Sequence, residues 1–323
     1  MKVRPSARCG DRCAVILLAF FLDRVFGDPP NRWHPVAWMG RWIGWGKARA
    51  AAQDPLAALL SGAAILASGI LGVGTLAAAL ERWARGWPRG VRVLGMALLL
   101  KSTFSLRGLE RAALQVHTAL LRRDLPAARH WLRWHLVSRE TKHLAQHHIV
   151  AATVESLAEN TSDGVIAPLL YYLMGGLPAA MVYRFINTAD AMLGYREGML
   201  EWLGKIPARV DDGANFLPAR LTAGLFVLAA PLVREDAAAA WRTWREDARA
   251  TSSPNAGHPM AAMAGALRVE LEKVGHYRLG RGFPHPTGDA IPRAIRLVRA
   301  GVGLFLMGVV LAHLAGGKDD PTT

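Results

Sequence analysis

The amino-acid sequence predicts an all-α, polytopic membrane protein with about four to six membrane helices. Three observations predict it. The 323-residue chain is 52% hydrophobic yet carries 39 basic against 25 acidic residues. Long apolar runs separated by basic segments suit the positive-inside bias and the anionic lipid surface. The 11 tryptophans sit largely near the ends of apolar runs, as at Trp33, Trp38, Trp42, Trp45, Trp83 and Trp87, where an amphipathic ring meets the headgroup layer. No apolar–polar alternation is long enough to support a sheet, and no internal repeat is present. A nucleic-acid binder would need a basic face with aromatics on a soluble fold, which this pattern does not offer. Membrane lipid is the expected partner surface, and the sequence is silent on oligomeric state.

The elements follow in order, and the whole chain, 1–323, reads as one membrane-embedded domain. Lys2, Arg4, Arg8 and Arg12 precede an apolar run at 14–26. No small-residue cleavage site follows it, so it reads as a retained first membrane helix rather than a removed signal. Cys9 and Cys13 are too few for a disulfide framework or a zinc site. The span 56–80 is the clearest, without a charge between Asp54 and Glu81. The run 91–109 is interrupted by Lys101 and Arg107, while 216–233 and 298–315 complete the set. The tail 316–323 reads as frayed. Glu110 to Glu155 carries Arg, His and Ala at helical spacing and predicts amphipathic helices. Beyond a helix near Glu235 to Arg249, Pro254, Gly257, Pro259, Pro284, Pro286 and Pro292 predict that much of the rest is loop.

The run 165–187 has two readings. It is about long enough to cross once. Gly175-Gly176-Leu177-Pro178 at its centre also allows two half-helices folded as a re-entrant hairpin. The hairpin would let the polar clusters on either side serve one face of the membrane.

Those clusters carry the chemistry. Glu155, Glu159 and Asp163 recur at i, i+4 and i+8, with Asn160 beside them. Such a face suits a hard cation such as Mg²⁺, which takes oxygen ligands. The bland alternative is a solvated acidic face with Thr161, Ser162 or Asp163 capping the next helix. Asn187 and Asp190 at i, i+3, and Asp211 and Asn215 at i, i+4 beside Asp212, repeat the pattern. Capping and turn chemistry is the competing explanation there. Ser252 to Pro259 places Ser253, Asn255 and His258 around glycine-flanked amides that can cradle an anion. Arg220 could pair with that anion or snorkel to headgroups. His143, His147 and His148 read as a basic helical face rather than a metal site. No phosphate-binding Gly-rich loop ending in Lys-Ser or Lys-Thr, and no Gly-x-Ser-x-Gly element, is present.

Four stretches together resemble the adenosylcobinamide-phosphate synthase family of cobalamin biosynthesis, over about Leu18 to Leu297. They are Leu22-Asp23 through Gly27-Asp28-Pro29-Pro30 to His34-Pro35 and Arg41; Glu155 through Gly164 to Pro168; Asn187-Thr188 to Gly194-Tyr195 and on through Arg209-Val210-Asp211-Asp212 to Arg220-Leu221-Thr222; and Ser253 to Gly257 with Ala261 to Leu267. Two departures stand out. Ser138-Arg139-Glu140-Thr141 occupies the place of the family's Gly-Arg-Asp-Thr, which weakens Arg139 and Glu140 as site candidates. His258 stands where Trp is common.

The resemblance implies a multi-pass inner-membrane enzyme with its site facing the cytoplasm. Its reaction joins aminopropanol, or its O-phosphate, to the free propionate carboxylate of adenosylcobyric acid, using ATP with Mg²⁺. The chemistry of the clusters, not the resemblance residue by residue, assigns Glu155, Glu159, Asp163, Asp190, Asp211 and Asp212 to catalysis, with Asp163, Asp190 and Asp211 as Mg²⁺ ligands. Asn160, Asn187 and Asn215 are assigned to corrinoid amides. Arg220, Ser253, Asn255 and His258 are assigned to anionic groups. Two other classes remain open. One is a Mg²⁺-dependent membrane transferase acting on a lipid diphosphate or phospho-alcohol, which would need no ATP. The other is a small-molecule transporter, which wants ionisable residues deep in its spans, and Lys101 is the one obvious candidate.

Overall fold

A computed structural model describes residues 5–50, 54–194, 198 and 200–316. Lys2, Arg4, Tyr195 and the tail from 317 lie outside the described residues. The helices run α1 (Pro5–Phe26), α2 (Pro35–Arg49), α3 (Pro55–Ala84), α4 (Arg89–Lys101), α5 (Leu106–Leu121), α6 (Leu125–His135) and α7 (Gln146–Thr161). They continue as α8 (Ala167–Leu193), α9 (Leu200–Ala214), α10 (Phe216–Ala229), α11 (Ala237–Asp247), α12 (Gly257–Leu267) and α13 (Ala290–Gly316). Strands β1 (Leu271–Lys273) and β2 (Tyr277–Leu279) form a two-stranded antiparallel hairpin inside the segment expected to be loop. The fold is all-α apart from that hairpin.

Among the described residues four helical runs are long and apolar enough to cross a membrane: Pro55–Ala84, Gln146–Leu193, Phe216–Val233 and Ala290–Ala315. The α3 helix illustrates why. Leu56, Leu60, Leu71 and Leu76 are each more than half exposed, an arrangement that suits hydrocarbon and not water. Its start is set by Asp54, whose side chain accepts from the Ala57 N–H at 2.8 Å, and by Pro55 at the first helical position. The run 91–109 is not one helix. It breaks after Lys101 through Ser102–Ser105, and α5 begins at Leu106.

The residues fall into two compact units, one comprising 1–105, 167–215 and 309–323, the other 106–166 and 216–308. In the first unit small residues set the packing. A side chain at Gly62 would strike the Leu203 carbonyl of α9, and one at Gly69 the Phe185 ring of α8. Close backbone approach through small residues is how helices pack where no water drives them together.

The α8 helix folds back on itself. Gly176 has φ 70° and ψ −159°, a region essentially restricted to glycine. Tyr171 and Tyr183 lie on either side of it, and their rings stack with centroids 4.9 Å apart. Twelve residues of straight helix would separate them by about 18 Å along the axis. Glu81 of α3 accepts from the Leu177 N–H at 3.1 Å and caps the second half-helix with a negative charge. The glycine pair and Pro178 thus make the hairpin that the sequence allowed.

The first unit also buries Lys101. Its ammonium lies 3.1 Å from Asp23, which is fully buried, and also pairs with Asp28. Burial opposes ionisation of Asp28. The nearby His34 imidazole, with Nε2 at 3.8 Å, and hydrogen bonds from Lys101 and Ser105 outweigh it and hold this carboxyl well below its usual range. His34 Nδ1 accepts the Val36 N–H at the start of α2, which leaves its Nε2–H for Asp28. Lys101, the candidate for an ion pathway, is therefore a structural partner tying the end of α4 to the Gly27-Asp28-Pro29-Pro30 turn. Lys101→Met should cost about 3–5 kcal/mol, because it leaves Asp23 buried without that partner. Thermal unfolding in detergent checks this. The double variant with Asp23→Asn should recover part of the loss, and an unchanged Tm for Lys101→Met would contradict the assignment.

Candidate functional site

Candidate residues occur in both units. In the first, the second half of α8 carries Asn187 and Asp190, and the end of α9 carries Asp211 and Asp212, followed by Asn215. Helical spacing puts Asp211 and Asn215 one turn apart, and the Asn215 amide donates to Asp211 Oδ2 at 2.9 Å. Asn187 donates to Asp211 Oδ1 at 3.4 Å. Tyr183 donates its hydroxyl to Asn215 Oδ1 at 2.7 Å, and Tyr171 donates to the Ala214 carbonyl at 3.0 Å. The folded α8 therefore presents a tyrosine from each half-helix to the end of α9. Asp211 is pushed up to about 7, first by burial and then by the Asp190 charge, against the two amide hydrogen bonds. Asn187 and Asn215 are thus engaged inside the protein as supports for Asp211. The sequence showed these acids and amides, with Tyr183 one helical turn before Asn187, but gave no signal for Tyr171 across the glycine pair.

In the second unit, α7 carries Glu155, Glu159 and Asn160. The chain does not stop to be capped at Thr161–Asp163. It passes through a π-helical turn, Ser162–Ile166, which holds Asp163. Single π turns inside α-helices are frequent at functional sites. Glu155 is buried, Glu159 and Asp163 are half-buried and Asn160 is exposed. Two buried oxygens in this stretch, Glu155 Oε1 and Ser162 Oγ, make no hydrogen bond.

The loop before α12 forms a second cluster in this unit. Ser253 Oγ accepts the N–H groups of Asn255 and Ala256, both at 3.2 Å. Arg220 of α10 lies over the Phe216 ring at 3.6 Å and donates to Asn255 Oδ1 at 3.2 Å. His258 Nδ1 accepts from the Trp244 indole at 2.9 Å. Burial and the neighbouring Arg220 and Arg249 charges lower His258 to about 4, so it is neutral at pH 7. Arg220, Ser253, Asn255 and His258 therefore meet, as their sequence pattern suggested. Arg249 and Trp244 join them without a sequence signal. Among the described residues no group of three or more His, Cys, Asp or Glu side chains forms a ready-made metal cage.

The class these features define is an all-helical membrane protein with oxygen- and amide-rich clusters at its helix ends. The chain belongs to the CobD/Cbib protein family, whose model matches residues 16–300. It is 44% identical to the cobalamin biosynthesis protein CobD of Dehalococcoides mccartyi over 82% of this chain and 86% of that one. It is 37% identical to the probable cobalamin biosynthesis protein CobD of Methanothermobacter thermautotrophicus, over 92% and 98% of the two chains. The CobD of Klebsiella pneumoniae is 40% identical over 90% of this chain and 93% of its own. No solved structure matches the chain.

Proposed function

We propose that this protein is the cobalamin-biosynthesis enzyme that joins aminopropanol, or its O-phosphate, to the free propionate carboxylate of adenosylcobyric acid in an ATP-dependent amide-forming reaction. The observation that carries the reading is the family match from 16 to 300, with relatives named for cobalamin biosynthesis at nearly full length. The chemistry of the clusters supports it. A carboxylate resists attack by an amine until one of its oxygens is made a leaving group. The propionate oxygen takes the γ-phosphoryl group and ADP departs. The amine nitrogen then attacks the acyl carbon, phosphate leaves, and the amine's surplus proton passes to a protein base.

Asp190 and Asp211, backed by Asn187 and Asn215, fit Mg²⁺, which binds through one or two carboxylates together with substrate phosphates. Asp212, beside Asp211, is a further candidate support, and Asp163 is a separate candidate ligand in the second unit. The bound cation would neutralise charge on the transferring phosphoryl group. Asn187 and Asn215 hold the Asp211 carboxylate in one orientation. Arg220, Ser253, Asn255 and neutral His258 bind anionic oxygens, and Arg249 adds charge to that cluster. Asn160, exposed at the end of α7, donates its amide nitrogen to the Ser156 carbonyl and hydroxyl and has its side-chain oxygen for a corrinoid amide. The reaction runs at an inner-membrane surface, on the cytoplasmic side where ATP is available.

One experiment tests the activation step. Adenosylcobyric acid labelled with ¹⁸O in its free carboxylate should pass one label to inorganic phosphate for each amide formed. Amide formation with no label in phosphate would rule out a transferred γ-phosphoryl group.

A further inference from the structure

The β1–β2 hairpin places side chains over α7 that no sequence pattern connected to it. Glu272 on β1 meets His148 in the first turn of α7 at 3.4 Å, and Arg278 on β2 braces Glu272 at 2.7 Å. The strand register sets Lys273 opposite Tyr277, with the ammonium 5.9 Å from the ring centroid. Tyr277 lies close enough to Glu155 and Glu159 that, after burial, their charges are what push its hydroxyl upward. Lys273 acts electrostatically on Glu155 from the same side. Arg139, from the segment between α6 and α7, brings a guanidinium nitrogen to 3.8 Å from Glu155 Oε2.

This group is not a finished internal salt bridge. The contact of 3.8 Å is too long for a hydrogen bond. Glu155 is 5% exposed, and its Oε1 makes no hydrogen bond. A buried carboxylate oxygen left in that condition is costly unless a donor reaches it. An ammonium supplies three donors and the opposite charge. The two cations beside the acids need an anion in turn. Two acids, a phenol and two bases gathered around Glu155 match a small zwitterion.

We propose that Glu155, Glu159 and Tyr277 hold the ammonium, and Arg139 and Lys273 the phosphate, of a small amino-alcohol phosphate. The identity of that amine rests on the function proposed above, where aminopropanol O-phosphate is a substrate. The subsite selects the phosphorylated amine over the free one. It also leaves the Arg220–Asn255–His258 cluster for other anions.

Equilibrium dialysis of radiolabelled aminopropanol O-phosphate against the purified full-length protein, without ATP or corrinoid, tests it. The native protein should bind the phosphate ester more tightly than free aminopropanol. Glu155→Gln should weaken both ligands by about tenfold or more. Lys273→Met and Arg139→Met should weaken the phosphate ester by about tenfold or more and leave the free amine nearly unaffected. Lys273 is half-exposed on a short strand, so its replacement leaves the helical packing intact. Absence of binding by the native protein, or equal affinity of both ligands for native and Lys273→Met protein, would overturn the subsite. Binding as expected with no corrinoid amide formed would leave the subsite standing and overturn the reaction. Amide formation with normal binding in all three variants would do the reverse.

Discussion

Asp211→Asn should reduce corrinoid amide formation by about a thousandfold or more while leaving the fold at least as stable as before. The isosteric amide removes an anionic oxygen from the pair that would hold Mg²⁺, and stabilisation of a transferring phosphoryl group is among the largest catalytic effects. Asp211 is buried beside Asp190, so its charge costs folding energy that the amide does not. Loss of activity without loss of Tm is the expected pair of results, read from product formation and thermal unfolding of the same preparation. Asp190→Asn should behave in the same direction, and so should Asp163→Asn in the second unit. Full activity in the Asp190 and Asp211 variants would remove the metal assignment. A large fall in Tm with Asp211→Asn would mean that the Asn187–Asp211–Asn215 group is there to hold α8 against α9.

Replacing Gly175, Gly176 and Pro178 by alanine or leucine should abolish activity and change the topology. Gly176 alone makes the case strong. At φ 70° a side chain is strained, and a Cβ there would lie 2.6 Å from the Glu81 carboxylate. The triple replacement favours one straight helix and pulls Tyr171 away from Tyr183. Asn187 and Asp190 would then be carried away from Asp211, and a tag placed after 194 should move to the opposite side of the membrane. Unchanged activity and tag location would show that the hairpin does not depend on this turn. Single cysteines at Asp163, Asp212 and Ser252, which are partly or fully exposed, in a background without Cys9 and Cys13, should react only with a reagent admitted to the cytoplasm. Labelling of any of them from the other side would break the cytoplasmic-site account.

The parts legible in the sequence were those with local causes. The glycine–proline cluster at Gly175 to Pro178 folds α8. Asp211 and Asn215 meet because they are one turn apart. Contacts between distant residues left no periodic signal. Lys101 reads as a charge inside a span until Asp23 and Asp28 are seen around it. The β-hairpin has strands of three residues, too short for alternation to register. Its Tyr277 reaches Glu155 across more than a hundred residues of chain. The π turn at Ser162–Ile166 was equally silent, because the residues there look like helix caps and serve instead to carry the helix onward.

The central claim is that this chain forms a corrinoid amide at the expense of ATP, and mass spectrometry reads that directly. Protein purified in detergent is incubated with adenosylcobyric acid, MgATP and either aminopropanol or its O-phosphate. The account predicts a product whose mass is that of the corrinoid plus the amine less one water, formed only when ATP is present. A corrinoid mass that stays unchanged with both amines, or a product that forms equally well without ATP, would contradict it.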